Sequence, residues 1–200
     1  MHATTRPRPA GYDPRVAIPD LATSRRVLED HRLPAGIVTH AEGVRRVAVA
    51  AAGLVAEAGI PIDGRLVEAA ALLHDIDKVR IRKSGGEHGV VGARMLTALG
   101  YPEIAVPVAS HPLSALLDSD RFPIGWPSVI LAVADRHVAQ EFMTVDERLD
   151  DMRLRHPTHA ASIEAARRPA HVLDAQVAEA VGLSVEELVD RLRAAWTAGA

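Results

Sequence analysis

The chain has 200 residues, enough for one domain with a sizeable core, and its formal charge of −3 gives no electrostatic case for nonspecific DNA binding. It has no cysteine, which excludes disulfides, zinc–thiolate sites, iron–sulfur clusters and cysteine nucleophiles, so any metal site must draw on carboxylates and the ten histidines. Hydrophobic residues make up 48% and aromatics only 3%, a balance that favours a globular fold with small-residue helix packing over an aromatic-rich β-sandwich.

Residues 1–19 are rich in Pro, Arg and Thr and read as an extended or poorly ordered arm. Asp20 caps a helix expected over 21–32, which Pro34 ends. A long helical pattern runs over 35–58. Its apolar residues, among them Val44, Val47, Ala48, Ala51 and Val55, recur at spacings of three and four and define one buried face. Gly59 and Pro61 stop it, and Asp63 caps the next helix, which leads into His74-Asp75. Residues 78–86 read as a basic loop ending in glycine, followed by a helix over 87–99 that Gly100 stops. Tyr101-Pro102 opens a short helix to about 110 or 111. Residues 112–127, with Pro112, Pro123, Gly125 and Pro127, read as a long irregular connection. Ser128 is the expected cap of an apolar helix over 129–141. Thr144 and Glu147 form a capping box for a helix ending near 156. Residues 158–180 look helical apart from a break near Pro169. Ser184 and Glu187 form a second capping box for a last helix to about 196.

No alternating strand pattern or internal repeat is present, so the expected class is all-α. The expected organisation is an arm over 1–19, one helical domain over 20–156, and helices over 157–200 packed on it or appended to it. No apolar run reaches membrane-spanning length, and the N-terminus lacks the apolar stretch of a signal peptide. The cytoplasm is the expected location.

Several polar residues are stranded in apolar helical context: His40, His74, Asp75, His88, His111 and Asp135. Each alone has an ordinary explanation. A single histidine is more often a hydrogen-bonded core or surface residue than a ligand. Asp135, inside Val129-Ile130-Leu131-Ala132-Val133-Ala134, is costly to bury unless paired with Arg136 or Arg148 or bound to a metal. Together, in the order His, His-Asp, His, His, Asp, they form a pattern.

Three blocks carry that pattern: Thr39-His40-Ala41-Glu42-Gly43-Val44, then Leu72-Leu73-His74-Asp75-Ile76-Asp77-Lys78, then Leu131-Ala132-Val133-Ala134-Asp135. With them the chain resembles the HD-domain superfamily of metal-dependent phosphohydrolases over roughly residues 33–156. The resemblance implies an all-helical domain with a metal held by His40, His74, Asp75 and Asp135. Members with two more histidines, matched here by His88 and His111, usually bind a second metal, which makes Asp75 the expected bridge. Asp77 stands where the family most often has Gly. A carboxylate there either repels an anionic substrate or points to solvent.

Two divalent cations lower the pKa of a water and stabilise charge on a phosphate, giving a metal-activated hydroxide. Ligands without thiolate suit Fe first, then Mn or Co, with Zn, Ni or Mg as alternatives. Asp75 and Lys78 are the expected catalytic residues, with Lys78 and Arg136 binding substrate. Arg80, Arg82 and Lys83 add basic charge nearby, although a solvated loop explains them as well. The expected substrate is a nucleotide or other small phosphate ester. No nucleic acid or membrane partner is expected, and a homodimer is left open. The same six-residue pattern is similar to that of HD-type di-iron oxygenases, which is the alternative reading.

Overall fold

A computed structural model describes residues 18–198. Among these the chain folds into ten α-helices and two short 3₁₀ turns with no strand, an all-α architecture. The expected arm falls almost wholly outside the described residues.

Helix α1 spans Leu21–Asp30, α2 Ala35–Glu57 and α3 Gly64–Leu73. The caps read from the sequence form. Asp20 accepts from Thr23 N at 2.7 Å, and Asp63 accepts from Arg65 N and Leu66 N at 3.0 and 3.1 Å. Helix α1 stops earlier than expected because Arg32 takes a positive φ of 52°. Val44, Val47, Ala48, Ala51 and Val55 of α2 are fully buried or nearly so, facing α3 and, further along the chain, the apolar helix that carries Asp135. Alanines at 48, 51, 70 and 71 leave little side-chain bulk between helices, so the axes approach closely.

Residues 78–84, expected as a loop, form helix α4 (Lys78–Ser84). Its residues are mostly good helix formers, Arg82 and Lys83 complement the negative end of its dipole, and Gly85 and Gly86 end it with positive φ. Helix α5 spans Val90–Leu99, not 87–99, because Gly89 before it has a φ of +81°. Helix α6 spans Pro102–Ser110. The irregular stretch that follows contains a 3₁₀ turn at Leu113–Leu117.

Helix α7 spans Trp126–His137. It begins after Gly125, so Ser128 lies inside it and is not its cap. It ends four residues earlier than expected, since Val138 turns extended and pairs with Phe142 in an isolated bridge. Helix α8 spans Val145–Arg155 and α10 Val185–Thr197, and both capping boxes form. Between them, α9 runs over Ala160–Ala180 and continues through Pro169 without the expected break.

Helices α2, α3, α6 and α7 pack on one another around the centre, and α5 packs on α6. Helix α9 lies against α7, α8 and the 3₁₀ turn after α6, while α10 lies against α2 and α9. Leu173 and Val177 of α9 and Leu188 and Leu192 of α10 join the same hydrophobic cluster as the residues of α2 and α7. No helix among the described residues is long and apolar enough to cross a membrane.

Candidate metal centre

The six stranded residues come together from five places in the chain. His40 projects from the first half of α2. His74 and Asp75 follow the last turn of α3. His88 sits just before α5, His111 just after α6, and Asp135 near the end of α7. Three overlapping groups have ligand atoms within 4.8 Å of one another: His40 with His74 and Asp75, His74 with His111 and Asp135, and Asp75 with His88 and His111.

Imidazole orientation decides what this cluster can hold. The Nδ1–H of His74 donates to Ala71 O at 2.7 Å, and that of His111 donates to Val108 O at 2.7 Å. His88 Nδ1 lies 2.8 Å from the carboxylate of Asp77 and donates to it. In all three rings the Nε2 lone pair therefore faces inward. His88 Nε2 and His111 Nε2 stand 3.1 Å apart, and His40 Nε2 and His74 Nε2 stand 3.2 Å apart. For His88 and His111, two lone pairs at that distance repel unless a cation lies between them, while His40 Nε2 also lies 3.1 Å from Asp135 Oδ1. Ligand atoms held at about 2.1 Å from one ion at right angles are about 3 Å apart, so the spacing suits paired metal ligands.

Asp75 lies between the two histidine pairs. Its Oδ1 is 3.2 Å from His88 Nε2 and 3.6 Å from His74 Nε2, and its Oδ2 is 3.9 Å from His40 Nε2. Asp135 Oδ1 is 3.1 Å from His40 Nε2 and 3.6 Å from His74 Nε2.

The electrostatics favour a bound cation. Burial lowers the pKa of His74 despite Asp75 and Asp135, and drives that of His111 well below the usual histidine range, with help from His88 and His74. Both rings are thus held in the neutral form that binds metal. Burial opposes charge on Asp75 and Asp135, but the neighbouring groups outweigh it: His74, His88 and Lys78 for Asp75, and Arg136 with the His40 hydrogen bond for Asp135. Both carboxyls stay ionised far below their ordinary range. His88 is shifted upward, because Asp75 and Asp77 outweigh its burial, and an environment that attracts a proton there attracts a metal ion too.

Asp77 corrects the expectation placed on it. It neither faces solvent nor confronts a substrate, being fully buried. Its Oδ1 holds His88, while its Oδ2 accepts from Gly89 N at 2.8 Å and Gly92 N at 2.9 Å. Gly89 has no side chain to cap α5, so Asp77 supplies the capping acceptor from a distant segment. Nothing local in the sequence signals this, since the partners lie 11 to 15 residues on.

Above the cluster opens a cavity of about 650 Å³, lined by His40, Asp75, His88 and Asp135. Lys78 and Arg82 of α4 also line it, as does Arg136. Lys78 Nζ stands 3.5 Å from Asp75 Oδ1. Arg80 instead lines a separate hollow, with Arg94 and Met95. Arg136 is partly committed, since its Nη2 donates to His111 O at 3.1 Å and to Asp135. Arg148, considered from sequence only as a partner for Asp135, also faces the cavity.

Comparison with known proteins gives a family. The family model described as HD domain matches residues 38–140, just over half of the chain. An uncharacterized protein of Methanocaldococcus jannaschii is 33% identical over 127 residues, an alignment covering 58% of this chain and 72% of that relative. No solved structure matches the chain.

Proposed function

The chain belongs to the HD-domain family, and from that premise we propose that it is a metal-dependent phosphohydrolase with a two-cation centre, acting on a nucleotide or another small phosphate ester. The observation that carries this reading is the pair of histidine pairs, His40 with His74 and His88 with His111, whose Nε2 atoms converge about Asp75. His40, His74, Asp75 and Asp135 would hold one divalent ion. His88 and His111 would hold a second, with Asp75 shared. The donor set of imidazoles and carboxylates suits Fe, Mn or Co. Bound there, divalent cations supply Lewis acidity, activating water and stabilising charge on a phosphate under attack.

The chain's own residues then have separate tasks. Asp75, kept ionised by His74, His88 and Lys78, ties the two halves of the centre together. Lys78 is placed to meet a phosphate oxygen beside the cluster. Arg136 fixes Asp135 and the His111 carbonyl with one nitrogen, which orients two of the expected ligands at once. The cavity wall carries five cationic side chains, Lys78, Arg82, Arg136, Arg148 and Arg155, and four carboxylates, two of which are the expected ligands Asp75 and Asp135. Metal loading turns that near balance into a strongly positive pocket, which favours an anionic substrate.

Elemental analysis of protein purified without added metal, joined to a nucleotide and phosphoester screen with Mn or Co, tests the reading. Metal-supported phosphate release indifferent to O₂ is the expected result. Turnover that requires reduced iron and consumes O₂ would instead establish the oxygenase reading.

A further inference from the structure

We propose that Arg136 and Arg148 form a second anion subsite, so that the substrate carries a second phosphate or carboxylate besides the phosphate facing the metal cluster and Lys78. The metal-side half of this statement rests on the phosphohydrolase reading; the arginine half stands on its own geometry.

Arg148 lies on α8, beyond the residues that match the family. Its side chain is only 14% exposed, and its one ion pair among the described residues, from Nη1 to Asp151 Oδ2, is long at 3.4 Å. Asp151 is bound more closely by Arg155, whose Nε donates at 3.0 Å. Arg148 Nε is buried with no hydrogen-bond partner among the described residues, and so are Nε and Nη1 of Arg136. A guanidinium has five N–H donors arranged as a fork that fits a carboxylate or phosphate. Here two such forks, both lining the cavity, have buried donors left over.

The two arginines are also close enough to feel each other's charge. Burial and the neighbouring Arg136 both push the Arg148 pKa down, against the pull of Asp135. Two cations brought together in a poorly solvated wall repel, and an anion between them removes the repulsion. The cavity of about 650 Å³ is of the size that holds a small organic molecule, not a lone phosphate. A substrate spanning the cluster and the arginine pair would use it.

The test uses the metal-loaded protein and a series of α,ω-bisphosphonates of increasing chain length, with methylphosphonate as the single-anion reference. Calorimetry gives the ratio of the best bisphosphonate affinity to that of methylphosphonate. We expect at least a tenfold ratio in the wild type, falling toward one in Arg148→Met and partly restored in Arg148→Lys. Phosphonocarboxylates in the same titration separate a carboxylate from a second phosphate. A ratio near one in the wild type, or an unchanged ratio in Arg148→Met, overturns the subsite; the latter is the outcome if the arginines serve only the metal-side phosphate. Metal content of each variant reports whether the fold and centre are intact. Hydrolysis is not read in this titration, so a chain that releases no phosphate still shows or lacks the subsite.

Discussion

Asp77 Oδ1 accepts the Nδ1–H of His88 at 2.8 Å, so a fully buried carboxylate sets which nitrogen of that imidazole faces the cluster. Its other oxygen caps α5 through Gly89 N and Gly92 N. One side chain thus ties the geometry of a candidate ligand to the start of a helix. Partners of this kind typically change metal affinity by about 10–100-fold when removed. Asp77→Ala is therefore expected to weaken metal binding at the His88 end by about that factor, and to destabilise the fold by about 1–3 kcal/mol for each orphaned N–H. Asp77→Asn keeps an acceptor and should lose less of both. Metal titration of the two variants checks the order. Equal, wild-type metal binding in both would show that His88 needs no such support.

The two halves of the centre should separate by mutation. His74→Ala and Asp75→Ala each remove a residue shared by two of the ligand groups. Both are expected to abolish phosphate release and to lower bound metal. His88→Ala touches only one group, so metal content should fall from about two ions per chain toward about one. Elemental analysis of the three purified variants decides the matter, and unchanged metal in all three would displace the centre from these residues.

Gly89 is held by conformation and space together. Its φ is +81°, and a Cβ there would lie 2.6 Å from Pro112 Cγ and 2.9 Å from the Val108 carbonyl oxygen. That carbonyl is helix backbone that cannot swing aside, and it also accepts from His111 Nδ1. Gly89→Ala is expected to cost about 1–3 kcal/mol from backbone strain alone, and to move His88 and His111 apart. Urea unfolding measures the first effect, and loss of metal from the His88 end measures the second.

Much of the helix order was legible because caps and apolar periodicity are local. Asp20, Asp63, Thr144 and Ser184 each cap the helix that follows them, and the α2 stripe of Val44, Val47 and Ala51 is buried as its spacing required. Some misread segments depend on distant partners and others bury too little to show a pattern. Helix α4 looked like a loop because its basic residues bury no face of their own. The start of α5 was hidden because its cap comes from Asp77, 12 residues earlier. The end of α7 was hidden because Val138 pairs with Phe142. The six residues that converge in three groups could be picked out by type and order. The unpartnered nitrogens of Arg136 and Arg148 could not, since only packing shows which donors are left over.

Acid should loosen the contact between α8 and α9. Arg167 Nη1 donates to Asp146 at 2.6 Å and Nη2 to Asp150 at 2.7 Å, and its Nε reaches Glu164 at 3.1 Å. The bond from Arg167, then that from His171, lowers the pKa of Asp146 below its ordinary 3.8. A carboxyl with a lowered folded pKa contributes stability that is present above its unfolded value and lost as pH falls through the folded one. The carboxylate partners are about half exposed, so Arg167→Gln is expected to cost only about 0.5–1 kcal/mol at neutral pH. The gap between wild type and variant should narrow below about pH 4, where the carboxyls protonate. Urea unfolding at neutral pH and near pH 3 measures both gaps, and a gap that widens in acid would contradict the pairing.

Gly43 links the long helix to the last one. A Cβ at this position would overlap the Trp196 ring and come within 3.1 Å of Val138 Cγ1. Arg46, one turn further along α2, lies over the same ring, 4.9 Å from its centroid. Gly43→Ala sets two effects against each other. Alanine favours the helix by about 1 kcal/mol relative to glycine, while overpacking typically costs about 1–3 kcal/mol. The clash is with a bulky ring, and Val138 Cγ1 crowds the same position, so the cost should win and α10 should be pushed outward. Replacing the ring separates the two terms. In a Trp196→Ala background the ring clash is gone and only the Val138 contact at 3.1 Å remains, so Gly43→Ala should lose most of its cost or become neutral. A double-mutant cycle in urea measures that loss of cost. The same destabilisation with and without the indole would mean that the close approach of α2 and α10 does not depend on this glycine.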